Sequence, residues 1–471
     1  MNDQVRLFFI LIFIVLMVAG CSISKPIIKP PINLPKTFSS NGEMPLPDKW
    51  WTSFNDKHLD QFIQIALKEN FTIRAGWSRL QQAYAMVKKS RSGLFPSLGW
   101  STDHSYQTSG SEGKEMTDDF SHSLGISASY EVDLWGRIRS ERDAKKLDAR
   151  AGIEDLKTSA MTLSAEIAQT WYRIIEQRGQ LKLLNAQIGI NTKYLEVITE
   201  RFRRGQVSAA DMLQQKQTIE AIRGEIHNLV WKLKTNEHQM CIYLAYLPGS
   251  FGLPEVMDLP VLPELPETGL PVEILGRRPD VQSAWLKVES KNMSVLEALS
   301  NRYPRLTISA RASLASNRIE DIFKNWLINL TSGLMGPIFD GHMRKAEVEQ
   351  ARAVLQEKIN QYGQIVLDAV KEVEDALVRE EQQKKYMESL LKQYALASQS
   401  AERILEQYLK GGQDYTRYLN AQLLYQRLER ALLAVKLDLI INRISLYRAL
   451  AGGFEIEKPA VNIVGHNHTG E

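Results

Sequence analysis

Cysteine is nearly absent: two in 471 residues, Cys21 and Cys241, cannot form a disulfide framework. An excess of one charge is also missing. With 58 basic and 55 acidic residues the net charge is +3, and both signs are interspersed through the second half, which favours long solvated helices over a phosphate-binding patch. The apolar run Leu7 to Gly20 is too short to span a bilayer as a helix, and no other helical pattern is apolar enough to do so. Proline is missing between Pro96 and Pro248, so nothing breaks a helix there. Catalytic and metal signatures are missing as well. There is no His-x-x-x-His pair, no Gly-rich phosphate loop and no concentration of the 13 methionines, while His466 and His468 sit in a polar C-terminal tail. Cys241, between Met240 and Ile242, reads as a small buried hydrophobe. No enzyme activity, cofactor, metal or nucleic-acid partner is expected.

What is present begins at the N-terminus. Arg6, the apolar run and the small residues of Val18-Ala-Gly-Cys21 have the layout of a secretory signal. The small residues directly before Cys21 resemble the lipobox of bacterial lipoproteins, which implies a signal peptide over 1–20, acylation of Cys21 and a lipid-anchored tether over 21–58 that includes the Lys/Pro-rich Ser24 to Pro35. A plain signal peptide or a short anchor is the alternative. Several acyl chains would make attachment stable, since one alone is marginal.

Beyond the tether, one series of patterns occurs twice. Residues 59–247 read as helix (Leu59, Phe62, Ile63, Ala66, Leu67), two alternating strands around a polar loop at Thr108 to Thr117, and a helical hairpin. The first hairpin arm carries Ile153, Ala160, Ile167, Ile174, Leu181, Ile188, Leu195 and Phe202 at spacings of seven, with a less regular row at Leu156, Leu163, Leu184 and Ile198. Such a repeat favours supercoiling against a partner, and a single helix from Gly136 to Phe202 would be roughly 100 Å long. Gly205 and Ser208 fit a C-cap and an N-cap for the turn. A Pro-rich linker covers 248–271, and residues 272–453 repeat the series before a tail at 454–471. Tyr303-Pro304 answers Phe95-Pro96, Trp285 answers Trp77, and Asn442 on its apolar stripe answers Asn236. In each half an alternating strand stops just before a glycine that opens the long helix. The residues at these junctions are Trp135-Gly136 and Asp340-Gly341.

The strands alternate apolar with small polar residues (Ile126, Ala128 and Tyr130 against Ser127 and Ser129). In lipid only a closed barrel satisfies strand backbones, and four strands cannot close, so membrane insertion would require several subunits.

Tyr130-Glu-Val-Asp-Leu-Trp-Gly-Arg137, Leu270-Pro-Val-Glu-Ile-Leu-Gly-Arg-Arg-Pro-Asp280, Gly336-Pro-Ile-Phe-Asp-Gly341 and Ala449-Leu-Ala-Gly-Gly453 together resemble signatures of the TolC-like outer-membrane factors, in the lipoprotein branch serving tripartite efflux pumps. The resemblance implies a mainly α fold with a transmembrane β-portion. Four strands per chain would build a trimeric twelve-stranded barrel, continued by a long periplasmic α-helical barrel. It further implies a homotrimer in outer-membrane lipid, a periplasmic adaptor docking on the hairpin turns (Gly205, Gly411, Gly412), and an inner-membrane efflux pump. A type I secretion channel is the alternative of the same class, and a non-channel coiled-coil scaffold lipoprotein that of another. The family narrows its periplasmic entrance with acidic residues in a Gly-x-Asp motif. This chain has Gln413 at that position, with Asp414 beside it, and Leu419-Asn420 where the family has Leu-Asp. Asp414 tied to Arg417 or to Asp211 is the substitute gate that these residues suggest, and a solvated turn charge is the alternative.

Overall fold

The computed structural model describes residues 32, 34–45, 47–110, 117–450, 454 and 456. Cys21, the Ser24 to Pro31 part of the tether, the tip of the Thr108 to Thr117 loop, Ala451 to Gly453, and His466 and His468 lie outside these residues.

A 3-10 turn at Trp50–Phe54 leads into α1 (Lys57–Glu69) and α2 (Phe71–Ser92), followed by β1 (Ser97–Ser109), β2 (Thr117–Val132), α3 (Arg137–Arg203) and α4 (Ala209–Tyr243). The second half contains α5 (Pro271–Arg277), α6 (Pro279–Ser300), β3 (Arg305–Ser316), β4 (Trp326–Met335), α7 (Met343–Leu409) and α8 (Tyr415–Leu450). α3 and α7 each have 67 residues, and their return helices α4 and α8 have 35 and 36. The short α5 was not anticipated. Pro271 and Pro279 stand at the first positions of α5 and α6, where a missing N–H costs nothing.

The chain divides into two compact units that cut across the sequence halves. One contains 79–153 with 283–365; the other contains 34–78, 154–282 and the chain from 366 onward. Each unit takes pieces of both halves, and within the first β2 pairs with β3, giving one antiparallel sheet in the order β1-β2-β3-β4.

In the sheet-bearing unit, Ala144, Met293 and Leu296 form a small core and Trp285 packs on Tyr362. In the helical unit, Trp50 stacks on Tyr447 and Phe54 packs against Tyr172. Asp56 caps α1 and accepts the Trp171 indole N–H at 2.8 Å, so one carboxylate ties the start of α1 to α3. α1 buries Leu59, Phe62, Ile63 and Ala66 of the stripe its spacing predicts and leaves Leu67 half-buried. Cys241 is free and buried.

The heptad reading of α3 needs one correction. The row that stays buried along the helix is the irregular one, Leu156, Leu163, Leu184 and Ile198, completed at the same spacing by Thr170, Gln177 and Asn191. The regular row ends exposed at Phe202. Counting apolar residues misses a seam in which amides and a hydroxyl occupy core positions. Gln177 accepts from Asn236 at 3.1 Å, and Asn442 donates to the Ala376 carbonyl at 3.0 Å, so each stripe asparagine ties a return helix to the helix before it.

Candidate functional site: an uncovered sheet and a polar hairpin end

The register of the sheet sorts its side chains onto two faces. Leu98, Ala128, Ala310 and Leu330 form one cross-strand row, and Trp100, Ile126, Ala312 and Ile328 the next on the same face. The opposite face presents Ser97, Ser129, Ser309 and Thr331, then Gly99, Ser127, Arg311 and Asn329. A water-soluble sheet buries its apolar face. This one leaves it bare, with Trp100 76%, Trp326 72% and Leu330 77% exposed. The outer edges of β1 and β4 also lack a partner strand among the described residues.

Where β2 becomes α3, the corner is densely bonded. Asp133 accepts from the backbone N–H groups of Ile138 and Arg139, each at 3.0 Å, satisfying free donors of the helix start. Glu131 holds Arg137 through two parallel bonds of 3.1 and 3.0 Å. Gly136 has φ +76°, a left-handed conformation that lets the chain change direction. The Trp135 indole donates to the Pro304 carbonyl at 2.8 Å and stacks on Tyr303.

The second corner is looser. Asp340 accepts from His342 N at 3.1 Å, while Ile338 and Phe339 project fully into the surroundings. Both Gly341 (φ +62°) and His342 (φ +70°) are left-handed, so the turn there uses a non-glycine residue that the sequence reading overlooked.

At the hairpin turns, Gly205 (φ +71°) and Gly411 (φ +78°) are the left-handed residues that end α3 and α7. In each turn the following N–H bonds back to a helix carbonyl at 2.9 Å, Gln206 to Arg201 and Gly412 to Gln407. Gly412 itself needs no left-handed backbone. Asp211 is engaged by Ser208 in a reciprocal capping box that starts α4. Asp414 accepts the Arg417 backbone N–H at 2.7 Å, and the Arg417 guanidinium bonds Gln413 Oε1 at 3.2 Å. Side chain to side chain, then, Arg417 meets Gln413; Asp414 and Asp211 each serve as helix caps.

Behind the turns lies a buried cluster of Ile198, Tyr408, Tyr415, Tyr418 and Leu419. Tyr408 stacks on Tyr418, and Arg201 lies over the Tyr408 ring at 4.6 Å. Burial pushes the Tyr415 and Tyr418 hydroxyls above the ordinary phenol range. Tyr415 donates to Gln215, whose amide reaches the Asn191 carbonyl at 2.7 Å, and Asn191 in turn donates to Gln187 O at 2.7 Å. Gln187 bonds the Gln426 carbonyl at 3.3 Å, so the network joins α3, α4 and α8.

The model of a family described as outer membrane efflux protein matches residues 62–241 and 270–452. The chain belongs to that family. The pyoverdine export outer membrane protein OpmQ of Pseudomonas putida KT2440 is 27% identical over 435 residues, covering 88% of this chain and 90% of that protein. The probable efflux pump outer membrane protein TtgC of the same strain is 26% identical, covering 86% and 85%. Among solved structures, that of the outer-membrane channel OprN superposes with a TM-score of 0.86 at 21% identity, over 92% of this chain and 99% of that one. No described helix is long and apolar enough to cross a membrane. The polar network was missed in the sequence because its members are uncharged and scattered. The available signal was Asn191 falling on the spacing of seven.

Proposed function

We propose that the chain is the outer-membrane conduit of a tripartite efflux system. Three copies would close the four-stranded sheets into one barrel and the helical hairpins into a periplasmic tube. The observation that carries this reading is the sheet with an uncovered apolar face and two edges that have no partner strand among the described residues. Lipid suits the first and two neighbouring copies suit the second. In this reading Cys21 is acylated, and Trp135, Gly136, Asp340 and Gly341 mark the seam between membrane and periplasm. The turns at Gly205, Gly411 and Gly412 meet an adaptor that connects to an inner-membrane pump. Gln413, Asp414, Arg417 and Asp211 line the periplasmic entrance. The capping bonds of the two aspartates support that last assignment, since they hold both turns in defined conformations.

Detergent-extracted protein should carry acyl chains by intact mass, migrate as a heat-resistant trimer and conduct ions in planar bilayers, with Asp414→Ala raising the conductance. A monomer without conductance would favour the scaffold reading, and unchanged conductance in Asp414→Ala would remove that residue from the entrance.

A further inference from the structure

The polar face of the sheet carries one unpaired cation at mid-depth. Arg311 shares a cross-strand row with Gly99, Ser127 and Asn329. That row lies between the apolar rows of Ala310 and Ala312, in the middle of the band facing lipid. The guanidinium makes no hydrogen bond or ion pair among the described residues. It extends over Gly125, where an added Cβ would stand 3.7 Å from Nε. The absence of a side chain there leaves room for the arginine to lie along the sheet. The acids of the same face, Asp119 eight residues from the row on β2 and the nearer Glu131 and Asp103, do not neutralise it. Glu131 is held by Arg137, and Asp103 accepts from Ser123 at 3.3 Å. By register each lies four residues from the Arg311 row, about 13 Å along the strand.

An arginine on the lipid side at this depth would cost about 2–4 kcal/mol, whereas on the opposite face it meets water. We propose that Arg311 is the charge-selecting residue of the conduit, and that its copies form a cationic ring inside the barrel favouring anionic over cationic solutes. This rests on the channel reading above. Rings of basic side chains favour anions electrostatically, and the effect reaches the middle of a wide lumen only when screening is weak. The Debye length is about 30 Å at 0.01 M salt and about 3 Å at 1 M, so the preference must appear in dilute salt and vanish in concentrated salt.

The test is the reversal potential of purified full-length protein in a planar bilayer under a KCl gradient, for the unaltered chain, Arg311→Gln and Arg311→Lys. In dilute KCl, Arg311→Gln should lower the chloride-to-potassium permeability ratio about threefold. Arg311→Lys should keep the original ratio, and all three should converge near 1 M. Conducting trimers of Arg311→Gln with an unchanged reversal potential in dilute salt would overturn the assignment. Absence of conductance in the unaltered chain would overturn the channel reading, and the inference with it.

Discussion

The helical unit buries two polar clusters of opposite character. Beside the Pro-rich linker, Arg443 of α8 and Glu380 of α7 are almost wholly buried and meet through two bonds, one of 3.0 Å. Arg443 also donates to the carbonyls of Pro263 and Glu264, and Lys384 reaches Glu380 at 3.0 Å. Arg278 makes a similar tie, bonding Asp280, Glu372 and the Ala449 carbonyl. Behind the hairpin turns, by contrast, the buried polar groups are amides and phenols. Some remain unsatisfied, for Tyr408 Oη and Gln426 Nε2 have no hydrogen-bond partner among the described residues.

The difference separates a part of the fold that must stay from a part that can change. A buried charge deprived of its partner is heavily penalised, which makes the linker knot all-or-none. Neutral hydrogen bonds contribute about 0.5–1.5 kcal/mol each and can be exchanged one for another. Rearrangement of side chains is therefore cheaper where the amide network lies than at the linker.

The largest effect expected is that of Arg443→Ala, which leaves Glu380 with Lys384 as its remaining charged partner and releases the linker carbonyls. It should destabilise the protein by about 3–5 kcal/mol in denaturant unfolding of the solubilised form. A loss below 1 kcal/mol would erase the contrast drawn here.

Next comes acid. Burial by itself would raise the Glu380 carboxyl, but the bonds and charges of Arg443 and Lys384 outweigh it and hold the group below its ordinary 4.5. Because the folded value lies below the unfolded one, this stabilisation is complete above about pH 4.5 and is lost as pH falls through the folded value. Glu380→Gln should be less stable near neutrality and should show a shallower loss in acid. Parallel acid limbs for the two proteins would assign the dependence to other carboxylates.

Asn191→Ala is the smallest of the three. It removes bonds to Gln187 and Gln215 and should cost about 1–2 kcal/mol, with the hairpin end more exposed to hydrogen exchange than the linker. Equal gains in exchange at both places would argue that the two clusters unfold as one.

Much of this was legible in the chain. The strands, the hairpins and the corner at Trp135-Gly136 follow from changes of hydrophobic period, and Gly205 and Gly411 follow from the backbone sign that a helix end demands. The family signatures pointed to the efflux proteins, the family to which the chain belongs. The Arg443–Glu380 pair was not legible, since two ordinary charges sixty-three positions apart look like solvated helix residues until α7 and α8 are side by side. Nor was the left-handed His342, because nothing local distinguishes it from its neighbours.

By itself the sequence determined the period of each segment, the places where helices and strands stop, and the composition of the two faces of each strand. These are local properties, set by backbone sterics and by the spacing of apolar residues. Only the tertiary structure decided that β2 of one half pairs with β3 of the other, that the polar positions of α3 belong to its buried seam, and that the Arg311 guanidinium has no bonding partner among the described residues. Those outcomes depend on which distant groups become neighbours, and the energy of a buried charge or amide is set by its partners rather than by its own identity.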